Sequence, residues 1–276
     1  MHNFEPCVTL PVCFPLKYLT NDHPIKRETE RRLIIPEDYF DSCVSELHKL
    51  IPTGCISLDK LLGGGFPAES VSLIYGEAET GKTSLAVQSA VNCARRGIKS
   101  LFIDTDGTFS YERLSQIAEY DYQKISPLMI IMRPTTFQDQ SKSIDHLEKV
   151  INKKFGLIIV DTVTSLYRVE LEGTKETYAA NRELNRQLAV LMQIAKTCGV
   201  AVLIVSQVRS VPLGETVEMK PVATRVLNYW SDIILDMRQT SQTRVIKVLR
   251  EKHPKIKGKG AIYVKIERTG ISDYMH

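Results

Sequence analysis

Apolar runs of strand length alternate with amphipathic segments of helix length between residues 70 and 207. A short apolar run bounded by turn residues is typical of a strand that is buried on both faces. Apolar residues that recur every three or four positions are typical of a helix packed on such a sheet. The pattern predicts strands at 70–76, 99–105, 127–134, 155–162 and 199–207, and helices at 82–95, 111–120, 137–154 and 177–198.

The pattern changes after Trp230. Three apolar stretches, at 232–237, 243–250 and 260–268, follow one another with short connections, which predicts strands that pair antiparallel. The alternation upstream predicts a mainly parallel sheet instead. The predicted fold class is therefore α/β, a mainly parallel twisted sheet with helices on both faces and antiparallel strands at the C-terminus.

The first 50 residues differ from the rest of the chain. Residues 1–32 start Pro-rich, lack periodicity and end in the charged cluster KRETERR, so we expect a poorly ordered N-terminal extension. Residues 33–50 contain PEDYFDSCVSELHKL, whose early acids and helix-like apolar spacing predict a short helical lead-in. Residues 51–276 are predicted to form one core domain, which starts with a short helix that three glycines end in LDKLLGGG.

The composition is that of an ordinary globular protein, with 43% apolar and 25% charged residues. No run approaches the ~20 apolar residues of a membrane span, and the Pro-interrupted N-terminus lacks the features of a signal peptide. We therefore expect a cytoplasmic protein without a membrane partner. The cysteines show no metal-binding spacing, which predicts free thiols at Cys7, Cys13, Cys43, Cys55, Cys93 and Cys198.

Positive charge is concentrated near the C-terminus. The whole chain carries a net charge of +4. Residues 238–259 hold eight Lys or Arg and a single acid, Glu251, so the rest of the chain is net negative. A local excess of this kind is typical of a surface that meets an anionic partner.

The segment GEAETGKT, residues 76–83, fits the pattern GxxxxGK[ST] between a predicted strand and a predicted helix. Its glycines let backbone N–H groups surround phosphates, Lys82 neutralises phosphate oxygens, and the Thr83 hydroxyl can bind Mg²⁺. The predicted nucleotide-binding residues here are Gly76, Glu77, Ala78, Glu79, Thr80, Gly81, Lys82, Thr83 and Ser84.

Polar side chains end three of the other predicted strands. Asp161 ends FGLIIVD, where a carboxylate can hold the water shell of Mg²⁺ opposite Thr83. Asp104 or Asp106 ends LFIDTD, and either carboxylate could orient an attacking water or simply stabilise a turn. Gln207 ends IVSQ, where its amide could contact a γ-phosphate.

Together these segments resemble the RecA/RadA recombinase family of P-loop ATPases. The resemblance covers about residues 51–271 and is closest to a short archaeal branch in which no helix-hairpin-helix domain precedes the core. It implies a RecA-like ATPase core, ATP and Mg²⁺ as ligands, single-stranded DNA as a partner, and association with a full-length recombinase or with itself. It rests on TGCISLDKLLGGG, GEAETGKT, FIDTDGTFSYERL, LIIVDTVTSLYRVE, VAVLIVSQV and the tail VLREKHP.

The resemblance also implies roles for the residues that match. Arg113 would stack on adenine, Gln207 would sense the γ-phosphate, and Asp106 would act with Lys82 in catalysis. DNA in this family runs past two loops, which correspond here to about 170–181 and 208–222. The cations nearest to those loops are Lys175, Arg182, Arg209 and Lys220.

The chain departs from the family pattern at two places. The family usually has Glu where this chain has Asp106, and a side chain shorter by one methylene moves the carboxylate by about 1.5 Å, so weak hydrolysis is expected. The second loop reads RSVPLGETVEMKPVATRV and lacks the usual glycine-rich stretch, so vigorous strand exchange is not expected.

The basic segment RVIKVLREKHPKIKGKG has three interpretations. It could be an edge strand protected by charges at Arg244, Lys247 and Arg250. It could instead contact DNA. Finally, Arg250 and Lys252 could reach the ATP of a neighbouring subunit, as in related ATPases.

The leading hypothesis is an accessory protein of DNA repair and homologous recombination that binds ATP, hydrolyses it weakly and binds single-stranded DNA. The main alternative is a KaiC-like regulatory ATPase that does not act on DNA, because that branch shares the motifs. A P-loop kinase for a small molecule is a third possibility, disfavoured because no lid with clustered arginines is recognisable.

Overall fold

A computed structural model describes residues 49–173, 177–213 and 216–274. The extension predicted at 1–32 and nearly all of the lead-in predicted at 33–50 lie outside these residues. In the described residues, no helix is both long and apolar enough to cross a membrane. Cys55, Cys93 and Cys198 are free thiols, as predicted.

The strands of the described chain form one large sheet and one small one. A ten-stranded sheet has the order β12-β11-β10-β9-β3-β7-β6-β4-β5, and β8 pairs with the end of β7. The short strands β1 and β2 pair antiparallel by themselves. The strands are β1 Leu50–Ile51, β2 Phe66–Pro67, β3 Ser70–Gly76, β4 Lys99–Asp104, β5 Met129–Met132, β6 Phe155–Asp161, β7 Ala201–Leu213, β8 Thr216–Pro221, β9 Ile233–Gln239, β10 Val245–Lys252, β11 Gly260–Glu267 and β12 Gly270–Asp273.

The predicted fold class is confirmed. Six strands pair parallel to one another, in the order β9-β3-β7-β6-β4-β5. The last strands, β9 to β12, pair antiparallel in sequence order. The helices are α1 Ile56–Leu62, α2 Lys82–Arg95, α3 Tyr111–Ala118, α4 Tyr122–Ile125, α5 Phe137–Val150, α6 Ser165–Gly173, α7 Thr177–Cys198 and α8 Thr224–Trp230.

The sheet divides the interior into two hydrophobic clusters. Successive strand residues point to opposite faces, so Ile159 packs in one cluster and Ile158 in the other. The cluster with Ile159 includes α2, and the cluster with Ile158 includes α5 and α7. Each fully buried Leu or Ile stabilises the fold by about 1.5–3 kcal/mol, which explains why both faces of the central strands are apolar.

The basic strand β10 is an interior strand of the sheet. It pairs with β9 on one side and with β11 on the other. The interpretation of this segment as a charge-protected edge strand is therefore wrong. Because β10 runs antiparallel to β9, its end at Lys252 lies at the amino-terminal end of β9, beside Ile234.

Candidate nucleotide site

The carboxyl ends of four parallel strands bring the predicted site residues to one edge of the sheet. Gly76, which ends β3, pairs with Gln207 in β7. Asp104, which ends β4, pairs with Asp161, which ends β6. Residues that are up to 131 positions apart in sequence thus meet at the edge where open α/β sheets bind ligands.

The loop at 76–83 turns sharply because two of its glycines accept conformations that other residues avoid. A Cβ on Gly76 would lie 2.1 Å from the Met237 carbonyl oxygen, so only glycine lets β3 approach β9 at this point. Gly81 precedes α2 with φ of +84°, in the left-handed region. The loop therefore places the N-terminus of α2 beneath it, where anions are stabilised.

Lys82 is folded back over its own loop. Its Nζ donates to the Glu77 carbonyl oxygen and to Thr80 Oγ1, the latter at 3.3 Å. Burial lowers the pKa of Lys82, and nearby Asp161, Glu77 and Asp106 act in the opposite direction. A buried ammonium whose partners are mostly neutral oxygens gains by pairing with an anion, so the residue is well placed to bind a phosphate.

Asp161 and Thr83 form a pair of oxygen donors. The Asp161 side chain is 1% exposed, and burial raises its pKa to about 6; the Thr83 hydroxyl, which donates to it, lowers that pKa, and Asp106 raises it. Asp161 Oδ2 is buried and has no hydrogen-bond partner among the described residues. A hydroxyl beside a carboxylate with a free oxygen is a donor set that suits Mg²⁺, so these residues fit the ion.

The two aspartates of FIDTD have different roles. Asp104 accepts hydrogen bonds from the backbone N–H groups of Thr108 and Phe109 at 3.1 and 3.3 Å, and Arg133 Nε donates to it at 3.1 Å. Its carboxylate therefore holds the turn. Asp106 has one bound oxygen, Oδ2, which accepts from Gln207 Nε2 at 3.2 Å, whereas Oδ1 is buried without a partner among the described residues.

Gln207 has a second partner, which the sequence did not indicate. Its Oε1 accepts a hydrogen bond of 2.8 Å from Arg168, an exposed residue of α6. Arg168 follows Asp161 by seven positions and lies in the segment LIIVDTVTSLYRVE, but its spacing from Asp161 assigns it no role and does not point to Gln207. Only the sheet register, which brings β6 beside β7, places the two residues together.

Arg113 lies beside the start of α2. Its Nε donates to Ser84 Oγ at 3.2 Å, and its terminal nitrogens donate to the carbonyl oxygens of Glu267 and Arg268 at 3.0 and 2.7 Å. The guanidinium thus joins α3, α2 and the turn between β11 and β12. This position borders the loop at 76–83, and the predicted adenine contact stays a prediction.

Arg250 and Lys252 contact their own chain. Arg250 is 6% exposed, and its guanidinium donates to the carbonyl oxygens of Leu61 and Gly258. Lys252 Nζ donates to the carbonyl oxygens of Ser231 and Asn228. The interpretation in which Arg250 reaches a neighbour's ATP is not supported, because its side chain is buried inside this chain, and the same interpretation for Lys252 stays a prediction.

The two predicted DNA-binding loops are largely regular structure. Residues 170–181 belong mainly to the end of α6 and the start of α7, and residues 208–222 form a β-hairpin of β7 and β8 in their described part. Arg182 and Arg209 are exposed and Lys220 is half-buried. Lys175 lies outside the described residues.

Comparisons with known proteins agree with this architecture. The sequence profile of the family described as Rad51 matches residues 46–274. The DNA repair and recombination protein RadB of Thermococcus onnurineus is 38% identical over 82% of this chain and 98% of its own length. RadB of Pyrococcus furiosus is 37% identical over 82% of this chain and 96% of its own length.

A solved structure shows the same fold. A crystal structure of the RadB recombinase superposes with a TM-score of 0.70 and 33% sequence identity. The match covers 82% of this chain and 100% of that chain. The resemblance inferred from the sequence motifs is therefore confirmed.

Proposed function

The chain belongs to the Rad51 family, and we propose that it is an accessory protein of DNA repair and recombination that binds ATP with Mg²⁺, hydrolyses it slowly and binds single-stranded DNA. The observation that carries this proposal is the meeting of Lys82, Thr83, Asp161, Asp106 and Gln207 at one edge of the sheet. Proteins named for DNA repair and recombination match this chain over most of its length, which supports a role in the same processes.

Each residue has a distinct task in the proposed reaction. The backbone of the loop and Lys82 bind the phosphates, and Thr83 and Asp161 would hold Mg²⁺, which supplies positive charge to the transferring phosphoryl group. Asp106 Oδ1 is the oxygen left to orient the attacking water, because Oδ2 is occupied by Gln207. Arg113 bounds the site on the side where we expect the base.

Slow turnover follows from the length of Asp106. Its carboxylate is about 1.5 Å shorter in reach than that of the glutamate usual in the family, and a displacement of this size can cost about 100-fold when it misaligns a reacting group. We therefore propose a nucleotide-controlled switch, and not a motor. Its partners would be single-stranded DNA and either a full-length recombinase or a second copy of the chain.

The DNA would run past the β7–β8 hairpin and the α6–α7 junction. Arg209 and Lys220 lie on the hairpin, and Arg182 lies near the start of α7. The predicted cytoplasmic location stays part of this proposal. The family match argues against the KaiC-like alternative and the small-molecule kinase, and no contact in the described residues favours either.

The test is the rate of ATP hydrolysis with and without single-stranded DNA, together with filter binding of the DNA at low salt. We expect slow hydrolysis that DNA accelerates, and DNA binding that weakens steeply with salt because phosphate contacts dominate it. Lys82→Ala should abolish ATP binding and serves as the control for a contaminating ATPase. Absence of DNA binding at low salt, with or without ATP, would rule out the proposal.

A further inference from the structure

We propose that Arg168 is a positioning residue that fixes the orientation of the Gln207 amide and so connects Asp106 to both segments expected to meet DNA. The inference rests on the proposed function. Three side chains form a chain of two hydrogen bonds. Arg168 donates to Gln207 Oε1 at 2.8 Å, and Gln207 Nε2 donates to Asp106 Oδ2 at 3.2 Å.

The chemistry of these groups permits one orientation of the amide. A guanidinium has only donors, so Arg168 can bind the oxygen end of the amide and not the nitrogen end. A carboxylate has only acceptors, so Asp106 requires the nitrogen end. Without Arg168, a rotated amide would present its oxygen to the carboxylate, and the hydrogen bond that holds Asp106 Oδ2 would be broken.

The state of the amide decides where the Asp106 carboxylate points. Its Oδ2 is tied to Gln207, and its Oδ1 is buried and free of partners among the described residues. Arg168 therefore influences the orientation of Oδ1 through Gln207 without contacting the site. A hydrogen bond from a charged group is stronger than a neutral one, but solvent competes for the exposed Arg168, so we expect an effect of about tenfold in rate.

The three residues also join separate elements. Arg168 belongs to α6, which leads into the first predicted DNA segment, and Gln207 lies in β7 where that strand begins its extension into the hairpin. The Gln207 carbonyl oxygen accepts a hydrogen bond of 3.1 Å from the backbone N–H of Val222, which follows β8. A movement of Gln207 toward a bound nucleotide would thus be transmitted both to α6 and to the base of the hairpin.

The first test is a double-mutant cycle with Arg168→Ala, Gln207→Ala and both changes together. We expect Arg168→Ala to lower kcat about tenfold with little change in KM for ATP, because the phosphates are bound elsewhere. In the Gln207→Ala background the same change should have no further effect. Arg168→Lys, which keeps the charge and a donor, should recover part of the activity.

The neighbour Val169 provides the control for damage to α6. Its side chain is 64% exposed and packs in neither hydrophobic cluster, so Val169→Ala should leave hydrolysis unchanged. Independent effects of Arg168→Ala and Gln207→Ala, multiplying in the double variant, would overturn the inference. A decrease in kcat that is caused by misfolding would be accompanied by a lowered Tm and a raised KM. A decrease in kcat that is caused by loss of positioning would leave Tm and KM nearly unchanged.

The second test needs no hydrolysis. Amide hydrogen exchange of the hairpin, residues 208–213 and 216–221, is compared with and without Mg²⁺ and a non-hydrolysable ATP analogue. Nucleotide should change exchange in the wild type and in Val169→Ala, and the change should be absent in Arg168→Ala. An unchanged hairpin in the wild type, or a response that survives in Arg168→Ala, would sink the inference. If the hairpin responds but the wild type neither hydrolyses ATP nor binds DNA, the proposed function fails and the connection stands.

Discussion

The carboxylate of Asp106 is bound at one oxygen and free at the other. Because one oxygen is free, the effect of side-chain length on the rate of ATP hydrolysis can be tested. Asp106→Glu should raise turnover by roughly tenfold or more, because the longer side chain carries the free oxygen about 1.5 Å further into the site. Steady-state hydrolysis should show the gain in kcat with KM for ATP nearly unchanged.

Two further variants delimit that expectation. Asp106→Asn should lower turnover, since the amide cannot act as the anionic acceptor. Asp104→Asn should instead lower the free energy of unfolding, because Asp104 holds two backbone N–H groups and Arg133. Equal turnover in Asp106→Glu and the wild type would remove Asp106 from the mechanism.

Asp161 makes the nucleotide-free protein sensitive to pH. Its pKa is about 6 when folded, against a usual value of 3.8, so the folded state holds this proton more tightly than the unfolded state does. This group therefore weakens folding as pH rises from about 4 to above 6, by roughly 3 kcal/mol at pH 7.5. Asp161→Asn should remove that destabilisation while it abolishes hydrolysis that depends on Mg²⁺.

Urea denaturation at several pH values measures the effect. The two proteins should be nearly equal in stability at about pH 3, where the carboxyl is largely protonated in both states, and Asp161→Asn should be more stable above pH 6. A stability difference that stays constant across this range would contradict the assignment.

Sequence reasoning identified most residues of the site but not their contacts. The loop at 76–83 and Asp161 follow from spacing, because their chemistry needs fixed residue types at strand ends. Spacing left Asp104 and Asp106 equivalent, since only the fold shows which carboxylate accepts the N–H groups of the turn. Arg168 was missed because its partner, Gln207, is 39 positions away in sequence.

The junction between β3 and β9 depends on the absence of a side chain at Gly76. Gly76→Ala should lower the free energy of unfolding by ~3 kcal/mol or more, because the added Cβ would strike the Met237 carbonyl oxygen and neither backbone can move alone. Thermal or urea denaturation measures the decrease.

Gly97 is the control for a glycine of positive φ at which an added Cβ meets no neighbour. Its φ is +76°, and a Cβ there would meet nothing within 4 Å. Gly97→Ala should therefore cost only about 1 kcal/mol, the penalty for a side chain in the left-handed region. A similar destabilisation in both variants would contradict the importance assigned to the contact between Gly76 and Met237.

The elements that the sequence predicted well are those buried on both faces. The predicted bounds of β3 and α2 agree with the structure, because long apolar runs and helical spacing leave few alternatives. The helices α6 and α8 and the β7–β8 hairpin were missed, since they are short or extend beyond the apolar run that marks the strand. Pro212 and Pro221 also made the hairpin segment resemble a loop.

The positive charge near the C-terminus does not form a single patch. The order of the strands places Arg238 and Arg244 at the edge of the nucleotide site, whereas the turn after β10 lies at the opposite edge, about 20 Å away along β9. The sequence could show the excess charge of residues 238–259 but not this division, which depends on the direction of β10.

The DNA path proposed above, past the β7–β8 hairpin, predicts which cations determine the salt dependence of DNA binding. Arg209→Gln combined with Lys220→Gln should reduce the slope of log K against log salt by about 1.4, because each phosphate of a single strand that the protein no longer neutralises lowers the slope by about 0.7. Filter binding over a range of salt concentrations measures the slope.

The exposed lysines of the opposite edge serve as the comparison. Replacing Lys255, Lys257 and Lys259 together by Gln removes three charges from the turn after β10 and should leave the slope nearly unchanged. The reverse result, a slope that changes with the three lysines and not with Arg209 and Lys220, would place the DNA at the opposite edge of the sheet.

The contacts of Arg113 and α2 with the end of the chain determine when, during synthesis, the nucleotide site can be completed. Its guanidinium is held by the carbonyl oxygens of Glu267 and Arg268, and Gln88 in α2 hydrogen-bonds the backbone of Ile271, which lies 183 residues later. When residues 76–83 of a nascent chain have left the ribosome, β11 and β12 have not yet been made. These are the strands whose backbone contacts Arg113 and Gln88. Nucleotide binding should therefore begin only after β12 has emerged, so ATP cannot assist the folding of the incomplete domain.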